Sequence, residues 1–531
     1  MKKLLLCDEA IAQASIDAGL SGMYAYPGTP STEIMEYIQG SAEAAEKQIV
    51  REWSSNEKTA VEAALGMSYA GKRSMVAMKH VGMNVAADGF INAAVTGVNG
   101  GMIVIAADDP SMHSSQNEQD SRFYAEFANV PCFEPSNQQE AYDMVFDAFE
   151  LSEKYKTPVL MRLVTRLAHS RAEIKSRDKK SQNAVSLPTD PMQYILLPVN
   201  AKKRNKILIA NYEQERNDAL LSRYNFFTDG DNHKMGIITC GIAYNYLIEN
   251  MKAMDCKYPV LKISTYPFPK ETVKELYDKC SEILVLEDGY PFIENRLRGI
   301  LDDGKKIHGR LDGTVPRDGE LNPTIVAKAL GLHVDEPMVV PEVVKPRPPQ
   351  FCKGCSHGDM YRALNEAVKS YDPGRVFADI GCYTLGALPP YRAINSTVDM
   401  GASITMAIGA TDAGLTPAIA VIGDSTFTHS GMTGLLDAVL KKSPITVIIS
   451  DNSTTAMTGG QKSQALGRLE QICLGLGVNP DHLRVITPLP KNHDENVSIM
   501  KEEFAYNDVS VIISRRECIQ TAKRKAKQQA K

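Results

Sequence analysis

The chain has 531 residues, 43% hydrophobic and 23% charged, the balance of an ordinary globular protein of about three domains. A net charge of −5 provides no basic field for nucleic acid. No run approaches the roughly 18 apolar residues that cross a bilayer, and Asp8 and Glu9 interrupt the apolar start too early for a signal peptide, so no membrane partner and a cytoplasmic location are expected.

Residues 1–175 form a first block. Apolar runs such as Gly22–Tyr26, Ser74–Met78 and Gly101–Ala106 alternate with helical patterns. Short apolar strands between helices predict a doubly wound parallel sheet covered on both faces. The polar stretch Lys175–Asp190 reads as a linker. Residues 191–340 repeat the alternation, with strands expected at Met235–Gly241 and Ser281–Glu287, and carry no strong catalytic motif. The joint Val344-Lys345-Pro346-Arg347-Pro348-Pro349 marks a boundary, because proline fixes φ and stops helices. A third block, 350–520, has strands expected at Ala418–Ile422 and Ile445–Ile449, and 521–531 reads as a solvated basic tail. The expected fold is α/β, three doubly wound parallel-sheet domains. The ten cysteines are not expected to pair as disulfides in such a chain, so only well-spaced groups suggest a cofactor.

The strongest chemical signal is Gly423-Asp424-Ser425, directly after one strand, with Asn452 directly after the next. Both stand at carboxyl ends of parallel strands, where open α/β sheets bind ligands. The residue types suit a magnesium diphosphate. Gly423 would let backbone approach phosphate. Asp424 offers a hard anionic ligand, Asn452 a carbonyl oxygen, and the backbone carbonyl of Thr454 another. The same triplet alone is an ordinary strand-to-loop turn.

Gly423-Asp424-Ser425 with Asn452 resembles the signature of thiamine-diphosphate enzymes, with Ser425 in place of the usual third glycine. Thr458-Gly459-Gly460-Gln461 and Tyr26-Pro27-Gly28-Thr29-Pro30-Ser31 narrow the resemblance to the 2-oxoacid:ferredoxin oxidoreductase superfamily. Asp108-Asp109-Pro110, His113–Asp120 and Asp379–Gly386 resemble the large, thiamine-binding subunit of its indolepyruvate branch. The resemblance covers all three blocks and makes them a pyrimidine-binding domain, a transketolase C-terminal-like domain and a diphosphate-binding domain. It also leads one to expect a two-cluster ferredoxin domain at the carboxyl end. The sequence to Lys531 holds no Cys-x-x-Cys-x-x-Cys run for one.

The resemblance implies oxidative decarboxylation of an aryl-pyruvate with coenzyme A, giving the acyl-CoA and carbon dioxide, with electrons passed to ferredoxin. It also implies a small partner subunit and a dimer of heterodimers. It places an activating glutamate at Asn56-Glu57, with Glu52 as the fallback and Glu62 also in the segment. Thr29 and His80 become candidate substrate contacts, although a lone histidine such as His80 is more often a structural residue. Cys352, Cys355, Cys382 and Cys518 match the superfamily's [4Fe–4S] ligands. Cys352-x-x-Cys355 also fits a redox dithiol, a zinc site with His357, or inert core. A non-oxidative thiamine decarboxylase and a non-catalytic electron-transfer or scaffold subunit stay open as alternatives.

Overall fold

The computed structural model describes residues 2–190, 192–254, 256–300, 305–316, 319–334, 340–345, 350–397 and 399–529. Of the proline-rich joint, 346–349 lie outside the described residues. The chain divides into two compact units, Met1–Met338 and Val339–Lys531.

The first unit carries a seven-stranded and a five-stranded sheet. In the larger sheet the spatial order is Thr265–Tyr266, Cys132–Phe133, Val159–Val164, Met102–Asp108, Ser74–Lys79, Gly22–Ala25, Val50–Trp53. All pairs are parallel except Thr265–Tyr266, which joins the edge antiparallel from the 191–340 block. Along Met102–Asp108, Ile103, Ile105 and Ala107 enter one apolar cluster, while Met102, Val104 and Ala106 enter another. Alternate side chains point to opposite faces, so a strand buried on both must be apolar throughout. This is the physical reason the strand was legible as one unbroken run. The five-stranded sheet runs Lys306–His308, Glu282–Leu286, Met235–Cys240, Val260–Ile263, Phe226–Thr228, with only the last strand antiparallel.

A buried ion network joins the two sheets. Arg162 donates to Asp108 at 2.6 Å and to the Asp288 carbonyl at 2.8 Å. Arg122 pairs with Asp120 and, at 3.1 Å, with Glu287. Asp108 and Asp120, which mark the resemblance in sequence, thus hold buried arginines. Such pairs are kept because a buried charge needs its partner. The stretch 176–190 forms no helix or strand and lies along the unit, with Lys180 N donating to Asp17 O and Ser186 N to Ala70 O.

The second unit holds a fully parallel six-stranded sheet, ordered Ser396–Thr397, Val376–Ala378, Ala418–Gly423, Ile445–Asp451, Ser510–Arg515, Leu483–Ile486. The end expected as a tail from 521 is instead a helix, Ile519–Gln529, whose Lys523, Lys525 and Lys527 are exposed. Its first residue packs inward: a Cβ at Gly354 would lie 3.3 Å from Ile519 Cδ1. No described helix is long and apolar enough to cross a membrane.

Candidate active site

In the first unit, chain order reverses direction across the sheet between Gly22–Ala25 and Ser74–Lys79. Ligands bind at the carboxyl ends of strands at such a switch point. Glu57, Thr29 and His80 all stand at that edge. Asn56 caps the helix Glu57–Tyr69 and accepts from the Thr59 amide at 2.9 Å. Glu57 is only 6% exposed. Glu52 and Glu62 are exposed, and Glu62 pairs with Lys58. A Cβ at Gly82 would fall 2.6 Å from Glu57 Oε1, so the helix His80–Thr96 passes the carboxylate at its glycine.

Thr29 is half-buried in the loop after Gly22–Ala25, with a cis peptide to Pro30. Gly28 N donates to Thr32 Oγ1 at 3.0 Å, and a Cβ at Gly28 would meet Lys79 Cβ at 3.0 Å. The loop therefore lies against the end of Ser74–Lys79. His80 is fully buried. Its Nε2 lies 3.1 Å from the Asn117 carbonyl, and its Nδ1 has no partner among the described residues. The carbonyl can only accept, so Nε2 donates to it. Sequence reading gave no role to Lys79, whose Nζ donates to Ser114 O at 2.7 Å. Burial pushes this ammonium down to about 8. The available signal was a basic residue ending a central strand.

In the second unit the switch point falls between Val376–Ala378 and Ala418–Gly423. Asp424 follows the latter and is buried. Its Oδ2 has no partner among the described residues, and burial, with Asp451 adding, pushes its carboxyl up to about 7. A buried carboxylate oxygen without a donor fits a cation. Asn452 Oδ1 accepts from Thr454 N at 3.1 Å and keeps a second lone pair. Thr454 pairs with Lys462 in a short antiparallel ladder, and Thr455 Oγ1 donates to Ser425 Oγ at 3.0 Å. Gly423 also meets a demand of the fold. A Cβ there would lie 2.7 Å from Tyr383 Cε1, so the glycine makes room for a ring of the protein itself. The chain after Asp424 includes a π turn, Phe427–Gly431, a feature frequent at functional sites. Asp379, beyond the neighbouring strand, accepts from Ser403 Oγ at 2.6 Å, and burial pushes its carboxyl up to about 6.

Cys352, Cys355, Cys382 and Cys518 line one cavity of about 110 Å³ with His357. Burial pushes the Cys382 thiol up to about 12, with Cys355, Cys518, Cys352 and Asp424 adding. Cys355 Sγ lies 3.1 Å from His357 Nδ1. No three ligand atoms of these five residues lie within 4.8 Å of one another. A single tetrahedral zinc would set thiolates about 3.8 Å apart at its ~2.3 Å bond length. The amide of Cys518 donates to the Asn452 carbonyl at 3.0 Å.

Residues 13–226 match the family described as pyruvate flavodoxin/ferredoxin oxidoreductase, thiamine-diphosphate-binding, and residues 379–486 the C-terminal binding domain of thiamine pyrophosphate enzymes. The chain is similar to the indolepyruvate oxidoreductase subunit IorA of Archaeoglobus fulgidus, at 36% identity over 97% of the chain and 86% of the relative. The same subunit of Methanothermobacter thermautotrophicus is 37% identical over 98% of the chain and 87% of the relative. Among solved structures, 2-oxoglutarate:ferredoxin oxidoreductase from Magnetococcus marinus shares the fold, with a TM-score of 0.50 and 17% identity over 62% of this chain and 65% of that one.

Proposed function

The chain belongs to the family of indolepyruvate oxidoreductase IorA subunits, thiamine-diphosphate-dependent 2-oxoacid oxidoreductases, and from that premise we propose that it oxidatively decarboxylates an aryl-pyruvate with coenzyme A, giving the acyl-CoA and carbon dioxide and passing electrons to ferredoxin. The observation that carries the redox half is the set of four cysteines around one cavity, tied by the Cys518 amide to Asn452.

When bound, thiamine diphosphate would supply the electron sink for decarboxylation. Asp424, Asn452 and the Thr454 carbonyl would hold the magnesium that accompanies its diphosphate, with Gly423 and Ser425 shaping that turn. Glu57, shielded from water at a helix start, would exchange a proton with the aminopyrimidine. The Thr29 hydroxyl would orient the oxoacid, and His80 would fix the pocket wall through Asn117. Cys352, Cys355, Cys382 and Cys518 would hold a [4Fe–4S] cluster as the first electron acceptor. We assign 1–175, 191–340 and 350–520 as the three sequence domains. A small subunit completes the enzyme, as a dimer of heterodimers in the cytoplasm.

The test is the anaerobically prepared complex with its small subunit, assayed against a panel of 2-oxoacids for coenzyme A consumption and ferredoxin reduction. Turnover of aryl-pyruvates dependent on both supports the reading. Aldehyde release without coenzyme A would establish the non-oxidative decarboxylase instead. Absence of thiamine diphosphate binding would leave the non-catalytic subunit.

A further inference from the structure

Three residues far apart in the chain converge outside the machinery described so far. Asp8 is the second residue of the helix Cys7–Asp17, Glu33 the second of Thr32–Gly40, and His169 follows the helical turn Thr165–Ala168. One ligand atom from each lies within 4.8 Å of the others, the one such group of His, Cys, Asp and Glu among the described residues. His169 Nε2 stands 3.6 Å from Glu33 Oε1.

Asp8 is fully buried, yet neither carboxylate oxygen meets a hydrogen-bond donor among the described residues. Glu33 Oε2 is likewise without one. Buried polar groups in native proteins are nearly always satisfied, and a buried carboxylate facing a second carboxylate is a costly exception. We propose that Asp8, Glu33 and His169 form a binding site for one divalent first-row transition-metal ion.

The chemistry of the donors argues for this class. Two carboxylates and a neutral imidazole carry a charge that one divalent cation cancels, which removes most of the penalty of burying them. An imidazole among carboxylates suits manganese, iron or zinc better than the hard, all-oxygen ions. Glu33 and His169 are each 36% exposed, so an ion can enter from solvent and keep water at its remaining positions. Without the ion, burial and the nearby Glu33 hold the Asp8 carboxyl well above the usual carboxylate range. The ion would also anchor the segment that carries Thr29. Glu33 lies four residues beyond Thr29, and the intervening turn is closed by the Gly28 amide on Thr32 Oγ1.

The test uses Mn²⁺ alone, because thiolates of the cysteine set disfavour it, and omits thiamine diphosphate. The chelator-stripped full chain is titrated and free Mn²⁺ followed by electron paramagnetic resonance, with thermal melting in parallel. A single Mn²⁺ should bind per chain and raise the melting temperature. Glu33→Gln and His169→Ala, at half-exposed positions, should fold and weaken binding about tenfold or more. Asp424→Ala should bind Mn²⁺ like the parent, which separates this site from the diphosphate site. Equal uptake by the parent and both ligand variants would overturn the proposal. So would no uptake by the parent.

Discussion

The backbone amide of Cys518 donates to the carbonyl oxygen of Asn452 at 3.0 Å. Asn452 follows one central strand, Ile445–Asp451, and Cys518 follows its neighbour Ser510–Arg515, so one hydrogen bond joins the cysteine cavity to the proposed magnesium residues. Disturbing either is expected to register at the other.

Asp424→Ala should abolish magnesium-dependent thiamine diphosphate binding and leave the circular dichroism spectrum unchanged. Asp424 Oδ2 has no protein partner among the described residues, and the bonds the carboxyl does make, to Ser463 and the Ser425 amide, lie outside the sheet ladder. Calorimetry finding parental affinity would move the metal site elsewhere.

Glu57→Gln should still bind the cofactor and lose turnover by roughly 10²–10⁴-fold, the usual effect of removing a proton-transfer group. Glu52→Gln, at an exposed position on the neighbouring strand, should stay near parental rate. Turnover numbers for the pair decide between them, and the reverse pattern would restore Glu52 as the activating residue.

Anaerobic protein should contain about four irons per chain, as one [4Fe–4S] cluster requires. Cys355→Ser should lose them together with ferredoxin reduction. Iron-free protein that still reduces ferredoxin with its small subunit would put the first acceptor on that subunit.

Glu215, in the helix Pro198–Leu220, is buried with neither carboxylate oxygen bonded among the described residues. Burial, with Asp218 adding, pushes its carboxyl from 4.5 up to about 8. A raised carboxyl means the folded state binds the proton more tightly than the unfolded chain. Its contribution to stability is therefore full below about pH 4.5 and falls as pH rises toward 8. Glu215→Gln should remove this dependence. The variant should gain stability on the parent between pH 5 and 8, by about 1.4 kcal/mol for each pH unit crossed, read as a rising difference in melting temperature. Parallel pH profiles for the two proteins would show that Glu215 ionises freely in the fold.

Much of this was readable from the chain, and the reasons are local. Met102–Ala107 is buried on both faces and so is written as an unbroken apolar run. Asn56-Glu57 announces a helix start because the cap bond spans only three residues. What escaped depends on tertiary placement. The Tyr383 ring against Gly423, a second demand for glycine there, is fixed only by folding. The helix Ile519–Gln529 passed for a tail because its lysines outweigh the packing of Ile519 at its start. Asp8, Glu33 and His169 meet only after the sheet has formed, and no spacing in the sequence records their meeting.

The two-residue strand Thr265–Tyr266 has a consequence for rebuilding this molecule. It leaves the 191–340 block to complete the edge of the neighbouring sheet, pairing with Cys132–Phe133. A designer who shuffles that block between homologues, or trims the chain at the 176–190 stretch, carries away an edge strand and leaves Phe133 and its neighbours open to pairing with other chains. Chimeras should keep residues 132–133 and 265–266 from the same parent, and the two sheets of this unit should be inherited as one piece.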